Sequence, residues 1–254
     1  MPGEEVEIEL RLTNASTEPV IVAPLPPSLR LLTAGAEPES EKVVRSFPAG
    51  TEEVKLAINE ATTYKIIWNQ RDDEGKQVSP GWYYGNVEFG IRREKSLEEE
   101  ARTGSTERLF LIQYPQGAME KVIELNQVQT ATNLPFVVDG EVNSVDIVVT
   151  LKRVELSQEK TSFFVWLTSP NNPLPGYDNV WWRSGRNYAR YVIEGVVKDA
   201  RSAYRQYSND GIELTWGYKG SYLDPVPSDA KELNFIITRL GEWEGPWEFH
   251  VPLE

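Results

Sequence analysis

Apolar and polar residues alternate one for one along much of this sequence, and that period of two limits the fold more than any other feature. The first run of this kind lies in residues 5–13, where the apolar members are Val6, Ile8, Leu10 and Leu12. Side chains on a β-strand point alternately to its two faces, so each such run has one apolar and one polar face. The pattern predicts half-buried strands rather than helices, and therefore an all-β chain.

A central motif in residues 47–89 repeats this pattern on both sides of a polar turn. Its first two strands have apolar faces formed by Val54, Leu56, Ile58, Tyr64, Ile66 and Trp68. Residues 71–75 favour a turn, because aspartate can bond its own backbone and glycine accepts a positive φ. After Pro80-Gly81, a third strand places Tyr83 on the core face and Trp82 and Tyr84 on the outer face.

Four features of this motif carry a resemblance to a known family. They are Phe47-Pro48-Ala49-Gly50, Trp68 followed by Gln70, the Asp-Asp-x-Gly turn at 72–75, and Val78-x-Pro80-Gly81-x-Tyr83. With them, residues 4–114 resemble the intracellular proteinase inhibitor (BsuPI-like) family, which implies an immunoglobulin-like β-sandwich. An inhibitor needs a rigid loop that fills a protease cleft. The candidate is the loop Asn69–Pro80, with Arg71, Asp72, Asp73 and Glu74 as its inhibitory residues.

The second half of the chain continues the strand pattern with one change of parity. Alternation that begins at Val145 flips at Val154, which predicts a β-bulge near Lys152-Arg153. Residues 163–167 are apolar on both faces, as in a central strand. Residues 187–207 favour strands over a helix, and residues 241–245 are the expected hairpin tip between the last two strands.

Segments 145–154, 231–237 and 245–253 carry a second resemblance. Through them, residues 119–254 are similar to the membrane-proximal extracellular sandwich domain of anti-sigma-factor-like bacterial membrane proteins. The resemblance implies a second immunoglobulin-like sandwich in an extracytoplasmic setting, with no catalytic residue to carry over.

The sequence as a whole therefore predicts two tandem immunoglobulin-like antiparallel β-sandwiches, in residues 1–116 and 117–254. Residues 92–108 between strands are highly charged and fit either two helical turns or a solvated loop. A strand begins directly after Met1-Pro2-Gly3. This suggests that a signal or anchor has been removed and favours an extracytoplasmic or cell-surface setting, with a cytoplasmic setting as the alternative.

Composition argues against several classes of function. The formal net charge is −13 and no basic patch is visible, so we expect no nucleic-acid partner. The chain has no cysteine, which excludes disulfides and thiolate catalysis, and no apolar run long enough to span a membrane. His250 is the single histidine and has outward parity, so a Ser-His-Asp triad is not expected. Asp72-Asp73-Glu74 lacks the spaced frame of a calcium loop. We expect no enzyme, no cofactor and no metal.

Aromatic residues remain as candidates for binding. Parity assigns Trp68, Trp216 and Trp247 to cores, and Trp166, in the run that is apolar on both faces, is a further candidate for burial. The aromatic residues expected on outer faces or in loops are Trp82, Tyr84, Tyr177, Trp181, Trp182 and Trp243. Tyr177, Trp181 and Trp182 lie beside Arg183 and a proline-rich loop, and exposed aromatics with arginine are typical of interface anchors.

Three functions follow from these observations. The first is a non-catalytic extracytoplasmic protein-interaction module that uses the exposed aromatics to bind a protein partner. The second is a proteinase inhibitor that acts through the Asn69–Pro80 loop. The third is a carbohydrate-binding module with Trp181 and Trp182 as stacking platforms.

Overall fold

The structure is a computed structural model that describes residues 3–34, 42–93, 102–138, 140–170, 187–200, 203–208, 210–218 and 222–254. Within these ranges the chain forms sixteen β-strands and no helix, and all strand pairs are antiparallel. The all-β prediction is confirmed. No helix in the part that the structure describes is long and apolar enough to cross a membrane. The chain divides into two compact units, one ending at Pro115 and the other beginning at Gln116.

The first unit contains two antiparallel sheets. Its strands are β1 (Val6–Thr13), β2 (Val20–Thr33), β3 (Val43–Phe47), β4 (Glu52–Leu56), β5 (Ala61–Trp68), β6 (Gly81–Arg93) and β7 (Arg102–Ile112). One sheet has the order β3-β2-β6-β7, with β4 also paired to β2, and the other consists of β1 and β5. The two-stranded sheet packs on the larger one because the inward faces of both are apolar.

Burial in the first unit follows the predicted parity. Along β1 each residue from Val6 is alternately half-buried and exposed. Trp68 and Tyr83 face the core with exposed fractions of 1% and 4%. Ile58 is an exception: β4 ends at Leu56, so Ile58 lies in a turn and is exposed. The prediction that Ile58 shares the core face of that strand is wrong, because the strand ends before it.

Two connecting segments also differ from the sequence-based expectations. A proline-rich stretch at residues 24–27, which the sequence suggests as a link between short strands, lies within the single strand β2, whose pairing with β6 is interrupted between Ala23 and Ser28. Residues 92–93 and 102–108 belong to β6 and β7 rather than to a helix or loop, and residues 94–101 lie outside the described ranges.

The second unit contains two larger sheets. Its strands are β8 (Lys121–Val138), β9 (Glu141–Leu156), β10 (Thr161–Thr168), β11 (Tyr188–Ile193), β12 (Val196–Ala200), β13 (Tyr204–Ser208), β14 (Gly211–Trp216), β15 (Glu232–Leu240) and β16 (Trp243–Pro252). The sheets have the orders β13-β14-β10-β9-β8 and β12-β11-β15-β16. Their inner faces share one core, in which the ring of Phe163 stacks on that of Phe235 with centroids 4.1 Å apart.

Three predictions for this unit are confirmed. β10 is a central strand of its sheet. Phe164 pairs with Arg153 and Val165 pairs with Leu151, so Lys152 is the extra residue of a bulge. The residues of segment 187–207 that the structure describes lie in strands β11, β12 and β13 or directly beside them. Trp166 is only half-buried, on the outer face of β10.

Candidate functional site

The Asn69–Pro80 loop is held in one shape by hydrogen bonds. The Asp72 carboxylate accepts from the backbone N–H groups of Glu74 (3.0 Å) and Lys76 (2.8 Å). The indole N–H of the buried Trp68 donates to the carbonyl of Arg71 at 2.8 Å, which anchors the start of the loop in the core. The loop therefore has the rigidity that the inhibitor hypothesis requires.

Most of the proposed inhibitory residues are engaged in holding this shape. The Arg71 guanidinium donates to the carbonyl of Gly75 at 2.7 Å. The Asp73 carboxylate accepts from the N–H of Ser46 (3.2 Å) and lies 3.4 Å from the Arg45 guanidinium, so it covers part of β3. Glu74 is exposed, and its carboxylate has no partner among the residues that the structure describes.

The structure describes only some of the binding candidates. Trp82 and Tyr84 lie on β6 and are half-buried on the face opposite Tyr83. Tyr177, Trp181, Trp182 and Arg183 lie outside the described residues. Their role in binding stays a prediction.

Trp243 was expected in a loop or on an outer face, and that expectation is wrong. It is the first residue of β16, is 3% exposed, and packs in the core of the second unit. Its indole N–H donates to the carbonyl of Pro135 at 2.9 Å. The hairpin turn is shorter than predicted, since Leu240 pairs directly with Trp243. The predicted tip at 241–245 therefore included a residue that belongs to the strand.

An aromatic row crosses the outer face of the five-stranded sheet in the second unit. Tyr204, Thr215, Phe164 and Arg153 are direct neighbours on four adjacent strands. The Arg153 guanidinium lies 3.9 Å from the centroid of the Phe164 ring, a cation–π contact. Thr215, between the two rings, is only 2% exposed. The row thus shields the sheet from water.

A cleft of about 530 Å³ opens along one side of the first unit. One wall is formed by residues 6–12, nearly the full length of β1, and the other by Thr106, Arg108 and residues 110–112 of β7. Its floor comes from the apolar side chains of Leu29, Leu31 and Val87, with Gly85 between them. The cleft is long and mostly apolar, and its two long walls are strands.

Both wall strands have an unpaired edge. β1 pairs with β5 alone and β7 pairs with β6 alone within the described chain. An edge strand exposes a row of backbone N–H and C=O groups that can pair with another strand. The cleft thus combines two free edges with apolar space between them.

The open edges of β1 and β7 differ in how strongly they hinder the addition of another strand. Arg108 and Thr106 lie opposite Gly85 and Val87, so they point from β7 into the cleft. An inward-pointing charge on an edge strand hinders the addition of another strand. β1 has no proline, no bulge in its pairing with β5, and only apolar residues on its inward face. β1 is the less protected edge.

The outer face of β1 carries charges. Glu7 forms an ion pair with Lys65 at 2.7 Å, and this carboxylate raises the pKa of Lys65. Glu9 lies opposite Lys65 of β5 and contributes, less than Glu7 does, to its raised pKa, whereas Arg11 forms no hydrogen bond or ion pair with any residue that the structure describes. Glu9 and Arg11 are opposite charges two residues apart, so both can also interact with a strand added at the free edge of β1.

Two other sheet edges are covered. The Asn69–Pro80 loop lies against β3, where the N–H of Asp73 donates to the carbonyl of Val44 at 2.9 Å. In the second unit, Gln127 and Gln129 of β8 donate to carbonyls of β16, which ties that edge to the opposite sheet. The edge of β1 has no such covering contact within the described chain.

Sequence reasoning found β1 but missed the cleft. The alternation in residues 5–13 predicted the strand and its faces. That no described strand pairs with the open edges of β1 and β7 depends on sheet topology, which the period of two does not encode. The inward Arg108 was a weak signal, since a charge on a core-facing position indicates an open side of the sandwich.

Nothing among the described residues points to catalysis. His250 is exposed, as predicted, and its Nδ1 lies 2.9 Å from Oδ1 of Asn234. The described part of the chain contains no group of three or more His, Asp or Glu side chains placed to hold a metal ion. No family model matches the chain, and no curated protein matches it.

Proposed function

We propose that this protein is a non-catalytic protein-interaction module that binds an extended strand of its partner along the free edge of β1. The observation that carries the proposal is the unprotected edge of β1 beside an open apolar cleft. In such strand addition, main-chain hydrogen bonds supply affinity, and pockets for alternate side chains supply specificity.

The dimensions of the site suit this mode. A partner strand paired with the eight residues of β1 extends over about 26 Å, at about 3.3 Å per residue. Alternate side chains of that strand point into the cleft, whose volume of about 530 Å³ is in the range of ligand pockets. Burial of those side chains adds a hydrophobic contribution of about 25 cal/mol per Å² of apolar surface.

The proposal also covers the fold type of the two units and the location of the protein. We infer that both units are immunoglobulin-like sandwiches and that the protein works outside the cytoplasm. The first is supported by the packed antiparallel sheets together with the sequence resemblances, and the second is supported by the resemblance of residues 119–254.

A peptide selection tests strand addition. A displayed library of ten-residue peptides is selected against the protein, and hydrogen exchange is measured with the selected peptides bound. We expect sequences that alternate apolar and polar residues and that slow exchange in β1. The matched control is β7, whose inward Arg108 should leave exchange there unchanged. Peptides that protect other surfaces and leave β1 unaffected would refute the proposal.

Proteinase inhibition is the second candidate, favoured by the rigidity of the Asn69–Pro80 loop. The test is stoichiometric slowing of a panel of serine proteases by the intact protein. Replacement of Asp73–Lys76 by Gly-Ser residues should then abolish the effect, whereas Glu242→Ala, in a turn of the other unit, should not. A panel without any inhibition would remove this candidate.

Carbohydrate binding rests on Trp181 and Trp182, which lie outside the described residues, and it stays a prediction.

A further inference from the structure

We propose that the strand bound by β1 is β1 of a second copy of the chain, so that the protein forms a two-fold symmetric dimer. This inference rests on the proposed function, because it names the partner that uses the same edge. Its basis is that the outer face of β1 is complementary to itself in one antiparallel register.

That register has its two-fold axis at Leu10. Two antiparallel copies of β1 then pair Leu10 with Leu10, and Ile8 with Leu12 of the second copy. On the outer face, Glu9 lies opposite Arg11 of the second copy, and the symmetry repeats this pair. Glu7 lies opposite Thr13 of the second copy. Arg11 thus gains a partner, Glu9 gains a second one besides Lys65, and no like charges lie directly opposite each other.

Neighbouring registers are less favourable. An axis at Glu9 also pairs Glu7 with Arg11, but Glu7 is already paired with Lys65, and the Glu9 carboxylate then lies opposite its own copy. An axis at Ile8 places Glu7 opposite Glu9. Like charges directly opposite on paired strands are destabilising. A shift by one residue places Glu9 opposite Leu10, which sets polar residues against apolar ones. The pairing of opposite charges and the matching of apolar with apolar faces therefore both favour the register with its axis at Leu10.

The edges of β5 and β7 do not offer the same match. β4 also carries opposite charges two residues apart, Glu53 and Lys55, but Glu53 already pairs with Arg92. β5 has one charge on its outer face, Lys65, and that charge is already paired with Glu7. The cleft lies beside β1, and all of its strand-borne lining residues come from β1, β2, β6 and β7. β7 points Arg108 into the cleft. β1 is the edge where a second copy finds both charge complementarity and space.

Pairing would join the two-stranded sheets of both copies into one sheet of the order β5-β1-β1-β5. Each copy covers the unpaired backbone groups of the other, which closes the edge to further addition. The interface is isologous and self-limiting, so we expect dimers rather than filaments.

Charge reversal at two exposed positions tests the register. Glu9→Arg and Arg11→Glu each convert both symmetric pairs from attraction to repulsion. Each variant alone should dimerise on the order of tenfold to a hundredfold more weakly than the parent chain. In an equimolar mixture of the two, every cross-strand pair is again Glu with Arg, and the dimer should return. Sedimentation velocity reads the change between 28.9 kDa and twice that mass.

A crosslinking experiment reads the register directly. The chain has no native cysteine, so introduced thiols are the only ones present. Glu9→Cys mixed with Arg11→Cys should give a disulfide-linked dimer on oxidation, because Cα atoms of opposed residues lie about 4.5–5.5 Å apart. Either variant alone should remain largely uncrosslinked, since positions 9 and 11 do not face their own copies.

The outcomes separate this inference from the proposed function. A parent chain that stays monomeric at concentrations up to about 500 µM overturns the dimer. At that concentration even a dimer with a dissociation constant of about 1 mM is partly populated. A dimer that both charge reversals leave intact overturns it too. A monomer that still binds selected peptides along β1 refutes the dimer while the proposed function stands.

Discussion

Replacement of Trp68 by alanine is the sharpest test of the first unit's core. Trp68 is 1% exposed, and its ring makes edge contacts with Tyr83 (6.3 Å between centroids) and Phe110 (6.1 Å). Truncation of a buried aromatic residue costs about 3–5 kcal/mol through lost transfer energy and the cavity that remains. The lost hydrogen bond to the carbonyl of Arg71 adds about 1 kcal/mol.

The total of about 4–6 kcal/mol is a large share of the 5–15 kcal/mol that typically stabilises a domain. Hydrogen exchange followed by mass spectrometry can follow each unit separately. Exchange through global unfolding of the first unit should accelerate by about 10³- to 10⁴-fold, at about 1.4 kcal/mol per factor of ten. Trp68→Phe keeps an aromatic ring in the core, so it should cost less.

Ile67→Ala is the matched control, because Ile67 is the neighbouring residue on the same strand with the opposite parity. Its side chain is 52% exposed, so its replacement should cost less than about 1 kcal/mol. If Ile67→Ala were as destabilising as Trp68→Ala, the facing of β5 would be wrong. The inward face assigned to its pairing partner β1 would then be wrong as well.

Three further predictions concern turns and pH. Gly217 has φ +80°, and a Cβ there would lie 2.0 Å from a backbone carbonyl oxygen, so Gly217→Ala should lower the free energy of unfolding by at least about 3 kcal/mol. Gly75 has φ +83° with open space around it, so Gly75→Ala should cost about 1 kcal/mol, and thermal melts measure both. Asp72→Ala should destabilise its loop by about 1–3 kcal/mol and speed amide exchange there, whereas Glu74→Ala should change stability by less than about 0.5 kcal/mol. Backbone N–H groups lower the pKa of Glu194, so its stabilising effect is present above its ordinary value of 4.5 and is lost as pH falls below that value. Glu194→Gln should therefore make stability less dependent on pH below 4.5, and an unchanged acid-unfolding profile would contradict this assignment.

Much of the fold could be predicted from local pattern. Strand parity correctly placed Trp68 in one core and Trp216 and Trp247 in the other. The parity flip near Lys152 correctly located a bulge, because an extra residue in one strand exchanges the two faces. Both predictions depend on a strand's own two faces, which the sequence encodes directly.

The wrong predictions lie where a strand's end or its partner decides the outcome. Ile58 kept the parity of its strand but lies beyond the end of that strand. Trp243 was assigned to a hairpin tip, but pairing with Leu240 begins the strand at that residue and turns its ring into the core. Neither the length of a strand nor the tightness of a turn is fixed by alternation alone.

The sequence by itself determined that this chain is all-β and which face of each strand is apolar, because apolar and polar residues alternate along a strand with a period of two. The tertiary structure alone decided which strand edges stay unpaired, since pairing joins residues far apart in the chain. The cleft lies between β1 and β7, and no strand in the described ranges pairs with the edge that either of them turns to it. Only there do Glu9 and Arg11, ordinary surface charges in the sequence, lie on an edge that another strand can join.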